Sequence, residues 1–323
     1  MNKLALIVAL AVAAGSAIMA QETLYVSAKG GEDKSGRIEA EPTTFSKALT
    51  QVQAGNTRKI IILGTVDFNS NGMKNDEAFV FFIGSFLGDV KKANALQEIV
   101  ITGKPGVSGT ERAVLSGKGS GKIAVMVSRF KIRFEHIEIS GGEGTDGCGL
   151  HIANDARVTL GPGSVIRNNS GVGIYVEGEG TCVMDGSEVH DNNVGVTIAG
   201  NFTLQNGIIR NNTSSGIAVY NGGTCTIENG AVYNNNNRGI AVAGILTLRN
   251  GLIRDNNSFG NGGGVFISKG GRFTISGGSI TNNRAQAAGG GVYVETGARF
   301  DQNSGSISAN IAGQGSNPNI FKQ

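Results

Sequence analysis

Between Gly149 and Gly315 apolar and other residues alternate in short runs, and one unit of such runs is repeated seven times. Each unit opens with a glycine and an apolar–any–apolar triplet: Gly149-Leu-His-Ile, Gly173-Ile-Tyr-Val, Gly195-Val-Thr-Ile, Gly216-Ile-Ala-Val, Gly239-Ile-Ala-Val, Gly264-Val-Phe-Ile and Gly291-Val-Tyr-Val. The openings are 24, 22, 21, 23, 25 and 27 residues apart. A second run follows, as in Val158-Thr-Leu160 and Phe273-Thr-Ile275, and then a third, as in Gly207-Ile-Ile-Arg210. Alternation with period two predicts strands with one buried face. One such three-strand coil cannot bury its apolar face alone, but stacked coils share a continuous core, so a repeat of this length predicts a solenoid. Equivalent residues then stack into columns spaced by about 4.8 Å, the hydrogen-bonding distance between strands.

The clearest column is Asn169, Asn192, Asn212, Asn235, Asn256, Asn283 and Asn310, one per coil. Asparagine tolerates left-handed backbone angles at a tight turn, and stacked amides hydrogen-bond from coil to coil. The column therefore reads as a structural ladder. With it, the runs Gly262-Gly-Gly-Val-Phe-Ile, Phe273-Thr-Ile-Ser-Gly-Gly-Ser-Ile-Thr-Asn-Asn283 and Gly289-Gly-Gly-Val-Tyr-Val resemble the right-handed parallel β-helices of the pectate-lyase-like superfamily. Within it they are most similar to bacterial secreted and surface proteins of polymorphic outer-membrane or adhesin type. The resemblance implies an all-β fold, a single-stranded right-handed parallel β-helix. We expect about ten coils and a short N-terminal capping helix.

Residues 1–20 carry a lysine at position 3, an apolar run from Leu4 to Val12 and small residues up to Ala20, the pattern of a cleaved signal peptide. No later segment is long and apolar enough to span a membrane. The expectation is a secreted or periplasmic protein, or one held at the outer cell surface. Residues 21–58 hold a strand at Leu24-Tyr-Val-Ser and then Phe45, Ala48, Leu49 and Val52 at helical spacing. That spacing predicts an amphipathic helix covering the end of the solenoid, followed by the first coil strand at Lys59-Ile-Ile-Ile-Leu63. The β-helix is expected over 59–315, with irregular coils over 59–142 and regular repeats over 149–315. The irregular coils include strands such as Phe79-Val-Phe-Phe-Ile83 and the long loops from Asn69 and Gly84. Residues 316–323 read as a loose tail, and Gln302 in a core position marks the last coil.

The 52 glycines suit tight turns repeated many times. A formal net charge of +3 with no basic block argues against nucleic acid as a partner. Cys148, Cys182 and Cys225 are the only cysteines. Cys182 and Cys225 fall at inward positions two coils apart, roughly 9–10 Å, beyond disulfide reach. They read as small core residues.

The second strand's outward column is Thr159, Val183, Thr203, Thr226, Thr247, Thr274 and Asp301, almost without ionisable groups. It therefore lacks acid–base equipment. The paired aspartates of polygalacturonases and the calcium aspartates of pectate lyases have no counterpart in this sequence. The acids and histidine of one coil, Glu177, Glu179, Asp185, Glu188, His190 and Asp191, point in different directions around it. Gly117-Lys-Gly-Ser-Gly121 reads as a flexible turn. Two outward columns remain. The third strand presents Arg167, His190, Arg210, Tyr233, Arg254, Thr281 and Ser308, and arginines on alternate coils are spaced to track an anionic polymer. The opening strand presents His151, Tyr175, Thr197, Ala218, Ala241, Phe266 and Tyr293, whose rings suit sugar stacking.

The sequence thus predicts an exported, non-enzymatic, adhesin-like β-helix protein without cofactor, metal or catalytic residues. Its ligand candidates are Arg167, His190, Arg210, Tyr233 and Arg254, and its expected partners are a polysaccharide or surface glycan, or a protein at the envelope. The alternative is a polysaccharide lyase or glycoside hydrolase with its site in the N-terminal half.

Overall fold

Three apolar runs per coil wind into three parallel ladders around one core. The computed structural model describes residues 22–27, 36–37, 47–48, 51, 57–67, 98–107, 113–118, 123–144, 147–153, 155–313 and 317–323. The proposed signal segment, the strand at Phe79–Ile83 and most of the two long loops lie outside the described residues.

The opening runs build a nine-stranded first sheet, from Ile123–Ser128 through Cys148–Ala153 to Val292–Val294 and Ile320–Lys322. The second and third runs build one 17-stranded sheet, because in four coils a single ten-residue strand serves both: Thr181–His190, Asn201–Arg210, Arg272–Thr281 and Arg299–Ser308; its two halves, formed by the second and by the third runs, are called below the second and third sheets. Three of these strands turn at a glycine with positive φ, namely Gly186, Gly278 and Gly305. Every strand pair is parallel, and equivalent residues lie in register. Val158 pairs with Cys182, Cys182 with Phe202, Phe202 with Cys225, and the column continues through Leu246 and Phe273 to Phe300.

The inward residues of the three runs form one continuous core, with Ile174, Met184 and Val189 of a single coil all fully buried. Phe202 separates Cys182 from Cys225, and all three cysteines are buried free thiols. Desolvation pushes the Cys148 thiol up to about 12 and raises Cys182 and Cys225 further.

The asparagine ladder closes the corner between the third and first sheets. Each Nδ2 donates to the next Oδ1, at 2.9 Å for Asn169 to Asn192 and for Asn235 to Asn256, and each backbone N–H donates to the same oxygen. The residue in the left-handed region is the one before the ladder asparagine. Asn168, Asp191, Asn211, Asn234, Asp255, Asn282 and Ala309 all have φ between 54° and 57°. The opening glycines answer a different demand. A Cβ on Gly216 would lie 2.7 Å from the Asn235 amide nitrogen and 2.8 Å from the Gly239 carbonyl.

Three expectations are revised, and a fourth, the capping helix, falls only in part on the described residues. Complete three-strand turns number about eight rather than ten, because strands 57–67, 98–102 and 113–116 have no described partner strand in the first sheet. The first parallel strand is Glu22–Ser27, which pairs with Thr57–Leu63, so the sheet begins before the proposed cap. Of that cap, Lys47, Ala48 and Gln51 are helical and Ala48 is buried in the core, while Phe45, Leu49 and Val52 lie outside the described residues. The tail is ordered over 317–323. Ile320–Lys322 pairs with Val292–Val294, and Asn319 adds an eighth rung, its Oδ1 accepting from the Asn310 amide at 3.1 Å. The final strand Arg299–Ser308 is largely exposed, as expected with Gln302 opposite Ile275.

Candidate ligand-binding face

The outward column of the third sheet starts lower than the repeats suggest. Ser116 pairs with Ser140, and the column then runs Arg167, His190, Arg210, Tyr233, Arg254, Thr281 and Ser308 in register. The strands project these side chains at one strand spacing per step, on a face held rigid by the core behind it.

The structure gives these arginines acidic partners, which the sequence reading missed. Arg167 Nη2 lies 2.9 Å from Glu138 Oε2, a carboxylate with only 7% of its side chain exposed. Arg210 Nη2 lies 3.0 Å from Glu188 Oε2. Arg254 pairs with Asp255 and places its guanidinium 4.4 Å from the centre of the Tyr233 ring. His190 is buried and its Nδ1 lies 2.7 Å from Asp191 Oδ2. The signal was present: Glu188 and Glu138 stand two positions before the column in their own coils, which places them diagonally beneath the arginines. The face is a row of neutralised pairs and rings, suited to hydrogen-bonding a polar ligand more than to attracting charge over distance.

At the foot of this column an open cleft of about 480 Å³ is lined by Ser116, Lys118, Ser140, Glu143, Ser170 and Asp191, with the first ladder residues behind them. Lys118 belongs to the run read from sequence as a flexible turn. The coil brings it beside the ladder corner, a placement that no local spacing announces. Ser170 Oγ donates to the carbonyls of Gly142 and Gly144, which fixes one wall.

The other candidates separate. Glu177 approaches His151 at 3.5 Å, Asp185 accepts from Asn206 and Glu188 holds Arg210, so the acids of that coil do not converge. Among the described residues no three His, Cys, Asp or Glu side chains are placed to hold a metal. Arg133 and Glu135, on the second sheet, pair at 2.5 Å, and that hydrogen bond raises the arginine's pKa. The aromatic column of the first sheet stacks on itself. Phe266 and Tyr293 lie 5.3 Å apart and nearly parallel, Tyr293 and Phe321 5.5 Å, and His151 and Tyr175 4.9 Å. Ring faces spent on one another are closed to sugars, so this column is mainly structural.

Comparison with known proteins agrees with this architecture. Residues 148–305 match the family model described as a right handed beta helix region. Among curated proteins no sequence matches the chain significantly. The crystal structure of pectate lyase Pel9A is similar over 93% of this chain and 79% of its own, with a TM-score of 0.56 and 14% sequence identity. Identity that low speaks to the fold alone, and in fold this chain is a right-handed parallel β-helix protein.

Proposed function

We propose that this protein is an exported, non-enzymatic saccharide-binding β-helix of the cell envelope or secretome, adhesin-like in its use of a long face. Its site is the third-sheet face from the cleft at Lys118 up to Arg254. The observation that carries the reading is the continuity of the cleft with the column. Ser116 and Ser140 belong to both, so a polymer chain lying in the cleft runs directly onto Arg167, His190 and Arg210. Hydroxyls, a lysine, two carboxylates and paired guanidiniums supply the donors and acceptors that a hydroxyl-rich ligand requires.

A second reading, a polysaccharide lyase, draws support from Lys118 in that cleft and from the pectate lyase of like fold. Both are tested together. The purified chain is titrated with neutral and acidic oligosaccharides, with and without calcium, while ultraviolet absorbance follows any unsaturated product. Binding without product, weakened about tenfold or more by Lys118→Ala, is the expected result. Product formation that Lys118→Ala abolishes would overturn the binding reading in favour of the lyase.

A further inference from the structure

We propose that Arg238 and Phe259 form a second saccharide site, separate from the cleft, that takes a sugar residue carrying a carboxylate. Arg238 opens the strand Arg238–Val242 at the position filled by Val172, Val194 and Ser215 in the three preceding coils. Its guanidinium carbon lies 4.4 Å from the centre of the Phe266 ring, and its Nε donates to the Asn261 carbonyl at 3.2 Å. Arg167, Arg210, Arg249, Arg254 and Arg299 each hold a carboxylate. Arg238, like Arg129, Arg157, Arg272 and Arg284, has none within ion-pair distance among the described residues, but of these five Arg238 is the one lying over a ring, and burial lowers its pKa. The plane of this cation is therefore fixed by a ring on one side and a carbonyl at Nε, leaving the Nη donors for an incoming carboxylate.

The Asn261 carbonyl belongs to a loop that is itself fastened. Ser258 Oγ donates to it at 3.1 Å and accepts from the Gly260 N–H at 3.2 Å, while Asn261 Oδ1 accepts from the Ala288 N–H. At the tip of that loop stands Phe259, 66% exposed, the most exposed large apolar side chain among the described residues. A tied-down loop that presents an aromatic ring two residues from the anchor of a desolvated guanidinium matches one pyranose unit. The ring takes the C–H face and the guanidinium takes the acid.

The test follows the Nε–H resonance of Arg238 in the full chain during titration with an oligogalacturonate, its methyl ester and poly-glutamate. The acidic oligosaccharide should move this signal, the ester and the peptide should not, and Phe259→Ala should weaken the affinity read from it by about tenfold. Phe259 is exposed, so its removal leaves the core intact. An unmoved signal at millimolar sugar overturns the proposal, as does an equal response to ester or peptide, or undiminished affinity in Phe259→Ala.

Discussion

Asn235 sits at the middle of the ladder and is fully buried, so Asn235→Ala measures what the ladder contributes. Its Oδ1 accepts from the Asn212 backbone N–H at 3.1 Å and from the Asn212 amide at 2.9 Å. Its Nδ2 donates to Asn256 Oδ1 at 2.9 Å and to the Tyr233 carbonyl at 3.1 Å. After truncation the Asn212 amide keeps its bond to the Arg210 carbonyl, and Asn256 Oδ1 keeps the backbone N–H of residue 235. The Asn212 backbone N–H loses its acceptor in a site without water access. One orphaned buried donor costs about 1–3 kcal/mol, and the remaining lost bonds add about 1 kcal/mol, so the expected loss is about 2–4 kcal/mol. The control is Asn229→Ala. Asn229 accepts from Asn250 at 2.9 Å in an exposed pair one corner away, where water replaces the partner at a cost of about 0.5 kcal/mol or less. Urea unfolding followed by circular dichroism gives both values, and amide exchange should accelerate at Asn212 first. Equal midpoints for the two variants, or unchanged exchange at Asn212, would refute the ladder's energetic role.

Three further predictions follow from the same geometry. Ala309 is exposed and has φ 55°, where other coils place asparagine or aspartate, so Ala309→Asn should raise stability by about 0.5–1 kcal/mol in urea unfolding. Gly216→Ala forces a methyl against the Asn235 amide, the Gly239 carbonyl and Val232 Cγ1, all within 2.8 Å, and should cost about 1–3 kcal/mol by the same assay. His151 has its pKa lowered by desolvation, with Glu177 opposing the shift in part. The unfolded chain then binds a proton that the folded chain does not, starting near the ordinary value of about 6.5 and ending at the lowered folded value. Stability should fall across that window as pH drops, and His151→Gln should remove this component of a pH series of melting temperatures.

The columns were legible because a coil of three strands fixes the register. Once Gly149, Gly173 and Gly195 are aligned, period-two alternation assigns every inward residue from Leu150 to Ile307. The seven-rung ladder was legible for the same reason. The eighth rung was not, because Asn319 follows Asn310 by nine residues and reaches the ladder through the returning tail. Left-handed backbone was assigned to the ladder asparagines, whereas the turn places it one residue earlier, a distinction composition blurs because asparagine or aspartate fills both places in most coils. The arginine column was correctly stacked, but its charge state was misread. Two partners lie on a diagonal, Glu138 for Arg167 and Glu188 for Arg210, while Arg254 pairs with the next residue, Asp255, and alignment by columns alone compares a residue only with those directly above and below it. Lys118 escaped because its place at the cleft comes from the coil path past the ladder corner.

The core of this solenoid makes nearly the same demand in every coil, since Ile166, Val189, Ile209, Val232, Ile253 and Ile280 are all fully buried at one position. Outward residues are free of that demand, so variation among them reflects something other than folding. On the third sheet the outward column carries charged groups and rings from Arg167 to Arg254 and then changes to Thr281 and Ser308. The change coincides with a change in the coils behind it. Gln302 takes the position of the core residue Ile275, the strand Arg299–Ser308 is exposed, and Asn319 continues the ladder from Asn310. On the proposed binding reading, contact on the third-sheet face falls to the coils from the cleft at Lys118 to Arg254, where the column carries charged groups and rings.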